Sequence, residues 1–468
     1  MPDRTAKRVF VTGATGAIGP HAVRALIEAG HQVSAMVRTR EKAGVVAEMG
    51  AVPVFVSIFD VDGMTRAFEG HDAVVNLATA IPSTFAYPFA RAWRDNARIR
   101  TEGTTAVVDA ALAAGVGRVI QESIALAYPS RDDPITEDVS MAIYPVVEST
   151  PLSENTIRRF TEAGGAGVVL RFGLFYGPGS SQNNDMLTMA KAGVRVVYGP
   201  PDGYFSPIHL VDAGRAVVAA LDAGAGVYNV VDDEPMTKHD YGQAISDAVG
   251  RRPLIGAPGR LIGLAGQNMA AVMRSQRVSN QRFKDATGWR PVYPNARDGW
   301  RATADLWQPG RLLMLARALA AIIGIFFCAI GCWATLAPSN WYQQFPGFGR
   351  HWALSEPPYN EHLITDLGGF YLAAGVAGVV AAVIGRQGWL LAMGLIAAIE
   401  AVPHLVFHAV HHHHFATTGD AVASLVLLAA QMVAGVAIMV LSGRDAPASP
   451  WRREGGSLGA SVRNSSIR

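Results

Sequence analysis

The stretch "RVFVTGATGAIG" (residues 8–19) constrains the fold of this 468-residue chain more than any other. A short β-branched and aromatic run enters glycines at 13, 16 and 19, and the helical pattern "PHAVRALIEAG" follows at once. Glycines at this spacing let a backbone turn tightly and come close to a pyrophosphate. The helix start behind them offers N–H groups and the positive end of its dipole. A second apolar run, "HQVSAMVR", completes a strand–loop–helix–strand unit within about 30 residues, the unit that builds a parallel sheet. The alternation continues through "AVPVFVSI", "VDGMTRAFEG" and "DAVVNLAT", a helix at 90–115, "RVIQES", a helix at 152–164, "GVVLRFG" and "GVYNVV". The expectation is a Rossmann-type, doubly wound α/β domain over residues 1–305, its later segments forming a small substrate lobe.

From there on the composition changes. Half of the chain is hydrophobic and only 17% is charged, and the charge lies mostly in the first 310 residues. "ALAAIIGIFFCAIGCWATLA" (318–337) is long enough to span a bilayer as a helix. Three further runs, 367–384, 389–410 and 421–441, have the same character. Arg311, Arg317, Arg386, Arg444, Arg452 and Arg453 cluster at one set of ends, which the positive-inside rule places in the cytoplasm. The expectation is a four-helix transmembrane domain over 306–442, in a multi-pass cell-membrane protein with both termini cytoplasmic, and a disordered cytoplasmic tail over 443–468. The N-terminus enters a strand directly, with no apolar segment of the signal-peptide kind. A net charge of +2 with no basic stripe argues against a nucleic-acid partner. Two cysteines, Cys328 and Cys332, fall in the first apolar run, so no disulfide framework supports the N-terminal part.

Taken as a set, several motifs resemble the short-chain dehydrogenase/reductase superfamily, in its extended and atypical branches that include the NAD-dependent epimerases and dehydratases. These are TGxxGxxG at 12–19, "VVNLATA" at 74–80, "RTEGTTAVVDAALAAGVGRVIQESIALAY" ending at 128, "LRFGLFYGPGS" at 170–180, and "FSPIHLVDAGRAVVAAL" at 205–221. The likeness covers about residues 8–305. It implies an NAD(P) cofactor held by Thr12, Gly13, Thr15, Gly16, Ala17, Ile18 and Gly19, with Asp60 at the adenine and Leu77, Ala78 and Thr79 beside the nicotinamide. Phe172 departs from the family pattern, which has proline there.

The end of the second strand reads "MVRTREK". A ribose-binding acid belongs there in NAD-specific folds, but Arg38 and Arg40 stand there instead, and a guanidinium suits a 2′-phosphate. NADP(H) is therefore expected over NAD(H). A larger departure concerns catalysis. The family's tyrosine and lysine, four residues apart, should fall within "ESTPLSENTIRRF" (148–160). Thr150 and Glu154 stand near those places, and the chain has no lysine between Lys42 and Lys191. A phenol with a pKa near 10 needs a nearby cation to work at neutral pH. Ser123 and Tyr176 are the candidate catalytic residues in the pair's absence, with Tyr128 and His209 as further titratable groups. Tyr176 equally fits a packed turn aromatic, and His209 a structural hydrogen-bonding residue.

In the apolar tail, "IEAVPHLVFHAVHHHHF" (399–415) places Glu400, His404, His408 and His411 on roughly one helix face, and Glu361, His362 and Asp366 stand at the mouth of the second span. Such spacing suits a metal, a polar seam or an interface; no metal ligand is assigned. The expected function is a membrane-anchored NAD(P)-dependent oxidoreductase or epimerase acting on a small or lipid-like substrate. The alternative is a non-catalytic NADPH-sensing regulator coupled to the membrane domain.

Overall fold

A computed structural model describes residues 6–82, 89–131, 133–195, 199–256, 273–307, 311–355 and 358–444. The chain divides into two units, Met1–Trp307 and Gln308–Arg468.

In the first unit, β1 (Arg8–Thr12), α1 (Gly19–Glu28), β2 (Gln32–Val37), α2 (Arg40–Glu48), β3 (Val52–Phe55), α3 (Val61–Phe68) and β4 (Ala73–Asn76) make the first half. α4 (Thr104–Ala113), β5 (Arg118–Ile124), α5 (Thr150–Glu162), β6 (Ala166–Phe172), α6 (Leu210–Ala220) and β7 (Gly226–Val230) make the second. The strands form one parallel seven-stranded sheet in the order β7-β6-β5-β4-β1-β2-β3. The order reverses between β1 and β4, and ligands of open α/β sheets bind at the carboxyl ends of strands at such a switch point. Both faces are covered, as parallel sheets require. Along β1, Val9 and Val11 enter one core with Val23, Leu26 and Val217, while Phe10 enters another with Phe68, Val107 and Phe160.

The helix expected over 90–115 is interrupted. It runs as a 3-10 turn (Ala90–Trp93), a short helix (Arg94–Arg98) and a π-helical turn (Ile99–Gly103) before α4. The reason lies in Arg100, which is buried in the π turn and donates both of its bonds from Nη2 to the Glu122 carboxylate, at 2.8 and 2.7 Å. Extra residues in a helical turn of this kind re-aim a side chain.

The smaller lobe of this unit, expected from the sequence to take the substrate, is built on short strands. Leu174–Tyr176 pairs in parallel with Pro207–His209, so that Tyr176 faces His209 in register. Around Tyr176 gather Leu187, Phe205, Tyr241 and Trp300 as a separate core.

The second unit holds four helices long and apolar enough to cross a membrane: α7 (Arg311–Leu336), α8 (Glu361–Ile384), α9 (Gln387–Val410) and α10 (Thr418–Arg444). Small residues let pairs of these helices approach closely. A Cβ on Gly324 would lie 2.7 Å from the Val379 nitrogen, and one on Gly394 2.6 Å from the Gly435 carbonyl oxygen. That is how apolar helices pack when lipid removes the hydrophobic drive between them. Ile322, Ile325, Phe326, Phe370, Ile399 and Val426 point outward, each more than half exposed. A band of large apolar side chains on this scale suggests membrane association. Arg317 is buried and donates to the Ala382 and Val383 carbonyls, capping the end of α8. The polar tail, from residue 445 on, lies outside the described residues.

Candidate cofactor and hydride-transfer site

The glycine loop joins β1 to α1. Gly13 has φ +67°, a left-handed value, and a Cβ there would lie 2.5 Å from the Leu77 carbonyl carbon and oxygen. A Cβ on Gly19 would collide with the backbone of Gly13 and Ala14. The loop thus packs on the chain leaving β4, and the Gly16 N–H closes the turn onto the Gly13 carbonyl at 2.9 Å. No side chain caps α1, and Pro20 occupies its first turn. Its leading N–H groups therefore point into the crevice at the switch point, the arrangement that binds an anion.

The residues assigned to this site divide by exposure. Gly16 and Ala17 stand exposed at the crest and Thr15 is half-buried, whereas Ile18 and Leu77 sink into the core. Ala78 and Thr79 are half-buried at the end of β4. Thr12 is fully buried: its hydroxyl donates to Asn76 Oδ1, and Asn76 in turn donates to Gln121 Oε1 at 2.8 Å. This buried polar rung ties β1, β4 and β5 together directly beneath the loop. Its signal in the sequence is slight: the polar residues that end the apolar runs "VVN" and "VIQ".

Arg38 and Arg40 are exposed just past β2, and Thr39 between them caps α2 by accepting from the Lys42 N–H at 3.3 Å. Asp60 is exposed and caps α3 through the Gly63 N–H at 2.9 Å. One of its oxygens is already engaged in that cap.

Ser123 lies at the carboxyl end of β5, where β5 pairs with β6 in the register Ser123↔Arg171. Its hydroxyl is buried and donates to Glu154 Oε1 at 2.6 Å. Glu154 projects from α5 and receives Arg171 in a two-pronged pair, Nε at 3.0 Å and Nη2 at 2.7 Å. Arg171 Nη1 also donates to the Tyr128 hydroxyl at 2.7 Å, and that hydroxyl donates to Asn229 Oδ1 at 2.8 Å. Burial draws the Arg171 guanidinium down, but the bonds and charge of Glu154 outweigh it and hold the group firmly protonated. Burial raises the Tyr128 phenol above its ordinary value, with Arg171 offsetting only part of the effect. Where the family's lysine is expected there is thus a carboxylate clamped by an arginine. Thr150, near the place of the tyrosine, is buried with its hydroxyl unpartnered. Beside this segment opens a cavity of about 230 Å³ lined by Trp93, Asn96, Val146, Ser149 and Leu152. Asn96 accepts from the Ala80 N–H at 3.0 Å and so joins the cavity wall to the loop after β4.

Tyr176 requires a correction. It is fully buried and does not meet Ser123. Its hydroxyl donates to Asp232 Oδ2 at 2.8 Å, and its ring lies 5.4 Å from Trp300 and 5.2 Å from His209. Burial, then the neighbouring Asp232, pushes its phenol well above the ordinary range. The turn after β6 carries Tyr176 into the lobe core, away from the strand ends. His209 is likewise structural: its Nδ1 accepts from the Val211 N–H at 3.3 Å, and burial lowers it to about 3.

In the second unit, Glu400 and His404 contact each other, and Tyr371 and Gln431 donate to the Glu400 carboxylate. Among the described residues, no group of three or more His, Cys, Asp or Glu side chains is placed to hold a metal.

Comparison with known proteins agrees with this geometry. A family model described as NAD(P)H-binding matches residues 13–171. A 3-diazoavenalumate denitrifying reductase from a Streptomyces species is 34% identical over 306 residues, spanning 62% of this chain and 98% of the relative. Among solved structures, UDP-glucose 4-epimerase from Thermotoga maritima aligns with a TM-score of 0.54 and 22% identity, over 64% of this chain and 97% of the other. The Thermus thermophilus UDP-glucose 4-epimerase, solved in complex with NAD, aligns with a TM-score of 0.52 and 22% identity, over 64% and 98%. These two likenesses are of fold.

Proposed function

Because the chain belongs to the NAD(P)-binding, epimerase-like short-chain dehydrogenase/reductases, we propose that it is a reductase that passes hydride from NADPH to an electrophilic acceptor needing no proton from the protein. The carrying observation is the Ser123–Glu154–Arg171 clamp in the segment where the acid–base pair is expected. The Ser123 proton is committed to a carboxylate, and that carboxylate is committed to a cation. Epimerisation and alcohol oxidation both need a base to take a proton, so the clamp argues against them. Hydride transfer to a cationic or activated acceptor does not need one. An aryl diazonium group shows the balance: hydride replaces dinitrogen, dinitrogen leaves, and no proton is exchanged with the enzyme. The name of the Streptomyces relative, a denitrifying reductase of a diazo compound, supports this class.

In this reading the N–H groups of the glycine loop hold the pyrophosphate, Arg38 and Arg40 favour the 2′-phosphate of NADPH, Asp60 lies at the adenine, and Leu77, Ala78 and Thr79 flank the nicotinamide. Ser123 is a positioning residue. The four apolar helices anchor the protein in the membrane with the α/β unit and both termini on the cytoplasmic side, so an apolar or lipid-like acceptor is favoured. The test is NADPH and NADH titration of the full-length protein in nanodiscs, followed by NADPH oxidation with aryl diazonium, quinone and iminium acceptors. NADPH-preferring binding with turnover of one of these supports the proposal. Binding with no turnover of any acceptor favours a nucleotide-sensing role, to which the absent tyrosine–lysine pair also points. Binding of neither nucleotide refutes both.

A further inference from the structure

The second unit holds a half-buried carboxylate, Glu400, that nothing in the first unit's chemistry uses. Glu400 stands ten residues before the end of α9 at Val410. At about 1.5 Å per residue that is roughly 15 Å, half of an apolar layer about 30 Å thick. Three helices meet on it. Tyr371 from α8 donates to Oε1 at 2.7 Å, Gln431 from α10 donates to Oε2, and His404 Nδ1 lies 3.3 Å from Oε1. Among the described residues, the titratable groups in contact with it are Tyr371 and His404; α10 offers only a neutral amide, and α7 carries no charged residue from 318 to 336.

The surroundings of Glu400 are one-sided. Towards the end of α9, His408 follows His404 with ring centroids 4.8 Å apart, and then come His411 and the turn His412–His414. Towards the start of α9, residues 387–399 contain no titratable side chain. The mouth on the histidine side is polar: His362 pairs with Asp366 at 3.4 Å, and Arg350 with Asp420 at 2.6 Å. Imidazole is the side chain that gains and loses a proton near neutral pH, and two tilted rings at this distance can be bridged by one water or one ring flip. An ionisable residue at such depth is costly and is commonly part of a proton or ion pathway.

We infer that Glu400 is a proton-binding site at mid-depth of the apolar helices, reached from one side through His408 and His404. Protonation of Glu400 turns one acceptor oxygen into a donor. The new O–H on Oε1 is within reach of His404 Nδ1, and both oxygens can still accept, so proton binding re-orders the hydrogen bonds that tie α9 to α8 and α10. This inference rests on the membrane reading proposed above.

The test uses full-length protein in sealed proteoliposomes of known orientation and the apolar probe dicyclohexylcarbodiimide, which modifies protonated carboxyls in apolar surroundings. Mass spectrometry should find Glu400 modified at acid pH. Raising the pH on the His411–His414 side alone should cut the modification by roughly tenfold per unit above the pKa of the site. The double variant H404Q/H408Q should fold and insert, yet lose this dependence on the pH of that side. Membrane-embedded protein in which Glu400 stays unmodified, or in which modification follows the pH of the opposite side, overturns the inference. Release of the protein from membranes by alkaline carbonate overturns the membrane reading itself, and the inference with it.

Discussion

Each unit of this chain surrounds a glutamate with hydrogen-bond donors, and the two differ in the nature of those donors and in burial, Glu400 being 29% exposed. Glu154 meets Arg171, a permanent cation, in a two-pronged pair about nine-tenths buried. Glu400 meets a phenol, an amide and an imidazole, none of them permanently charged. A carboxylate paired with a guanidinium is locked, because losing either charge strands the other in a poor dielectric. A carboxylate held by neutral groups and a histidine has no such lock and is free to exchange a proton. In the proposed reading, the first arrangement argues against acid–base chemistry at the ends of β5 and β6, and the second offers a place for a proton among the apolar helices.

The largest expected effect breaks the locked pair. Glu154→Gln should destabilise the first unit by about 3–5 kcal/mol, because Arg171 stays buried without its counter-charge. Urea unfolding followed by circular dichroism measures this, and a loss under ~1 kcal/mol would mean that the clamp is not the lock described. The corresponding change Glu400→Gln should cost within ~1 kcal/mol, since an amide still accepts from Tyr371. Equal losses at the two sites would erase the contrast.

Acid should act on the first unit next. Burial lowers His21 to about 4 and His209 to about 3, against 6.5 in the unfolded chain. Both are neutral in the fold, and the unfolded chain takes up protons first. The stability they contribute is therefore complete above about pH 6.5 and is lost as pH falls towards 4 and 3, to the order of a few kcal/mol at 1.36 kcal/mol per unit. Unfolding midpoints measured from pH 7 to pH 4 should fall steadily. His209→Gln should flatten part of that slope.

Arg38→Ala should weaken NADPH binding by roughly tenfold to a hundredfold, the scale of one lost charge-assisted contact, and leave NADH binding unchanged. Equal loss for both nucleotides would show that Arg38 supports the loop and does not read the 2′-phosphate. The smallest effect belongs to Ser123→Ala. If its proton is committed to Glu154, kcat should change by less than about threefold. A fall of a hundredfold or more would identify Ser123 as a proton donor, the scale expected of a general acid.

Much of the fold was legible in the chain. β-branched runs ending in glycine, each followed by a helical period, specify parallel strands and crossovers with little reference to distant residues, and the four long apolar runs specify their helices by length alone. The glycine loop was legible for the same reason: Gly13 and Gly19 are required by backbone geometry set within a dozen residues. The sequence also revealed that Tyr and Lys were missing, but not what had replaced them. Glu154 is separated from Ser123 and Arg171 by 31 and 17 residues; the register of β5 against β6 sets Ser123 beside Arg171, and the packing of α5 on the sheet brings Glu154 to both. The same holds for Tyr176. Its motif lies beside the active-site segments in sequence, yet the pairing of Leu174–Tyr176 with Pro207–His209 turns its ring into the lobe core.

By itself, then, the sequence determined what depends on neighbours along the chain: the strand–loop–helix units, the glycine turn, the arginines after β2, the apolar runs and the helical spacing of Glu400, His404 and His408. Tertiary structure alone decided which polar groups are paired and which stay free to titrate. Burial and partner charge fix the state of a carboxyl group, and both are supplied by residues that are remote in sequence.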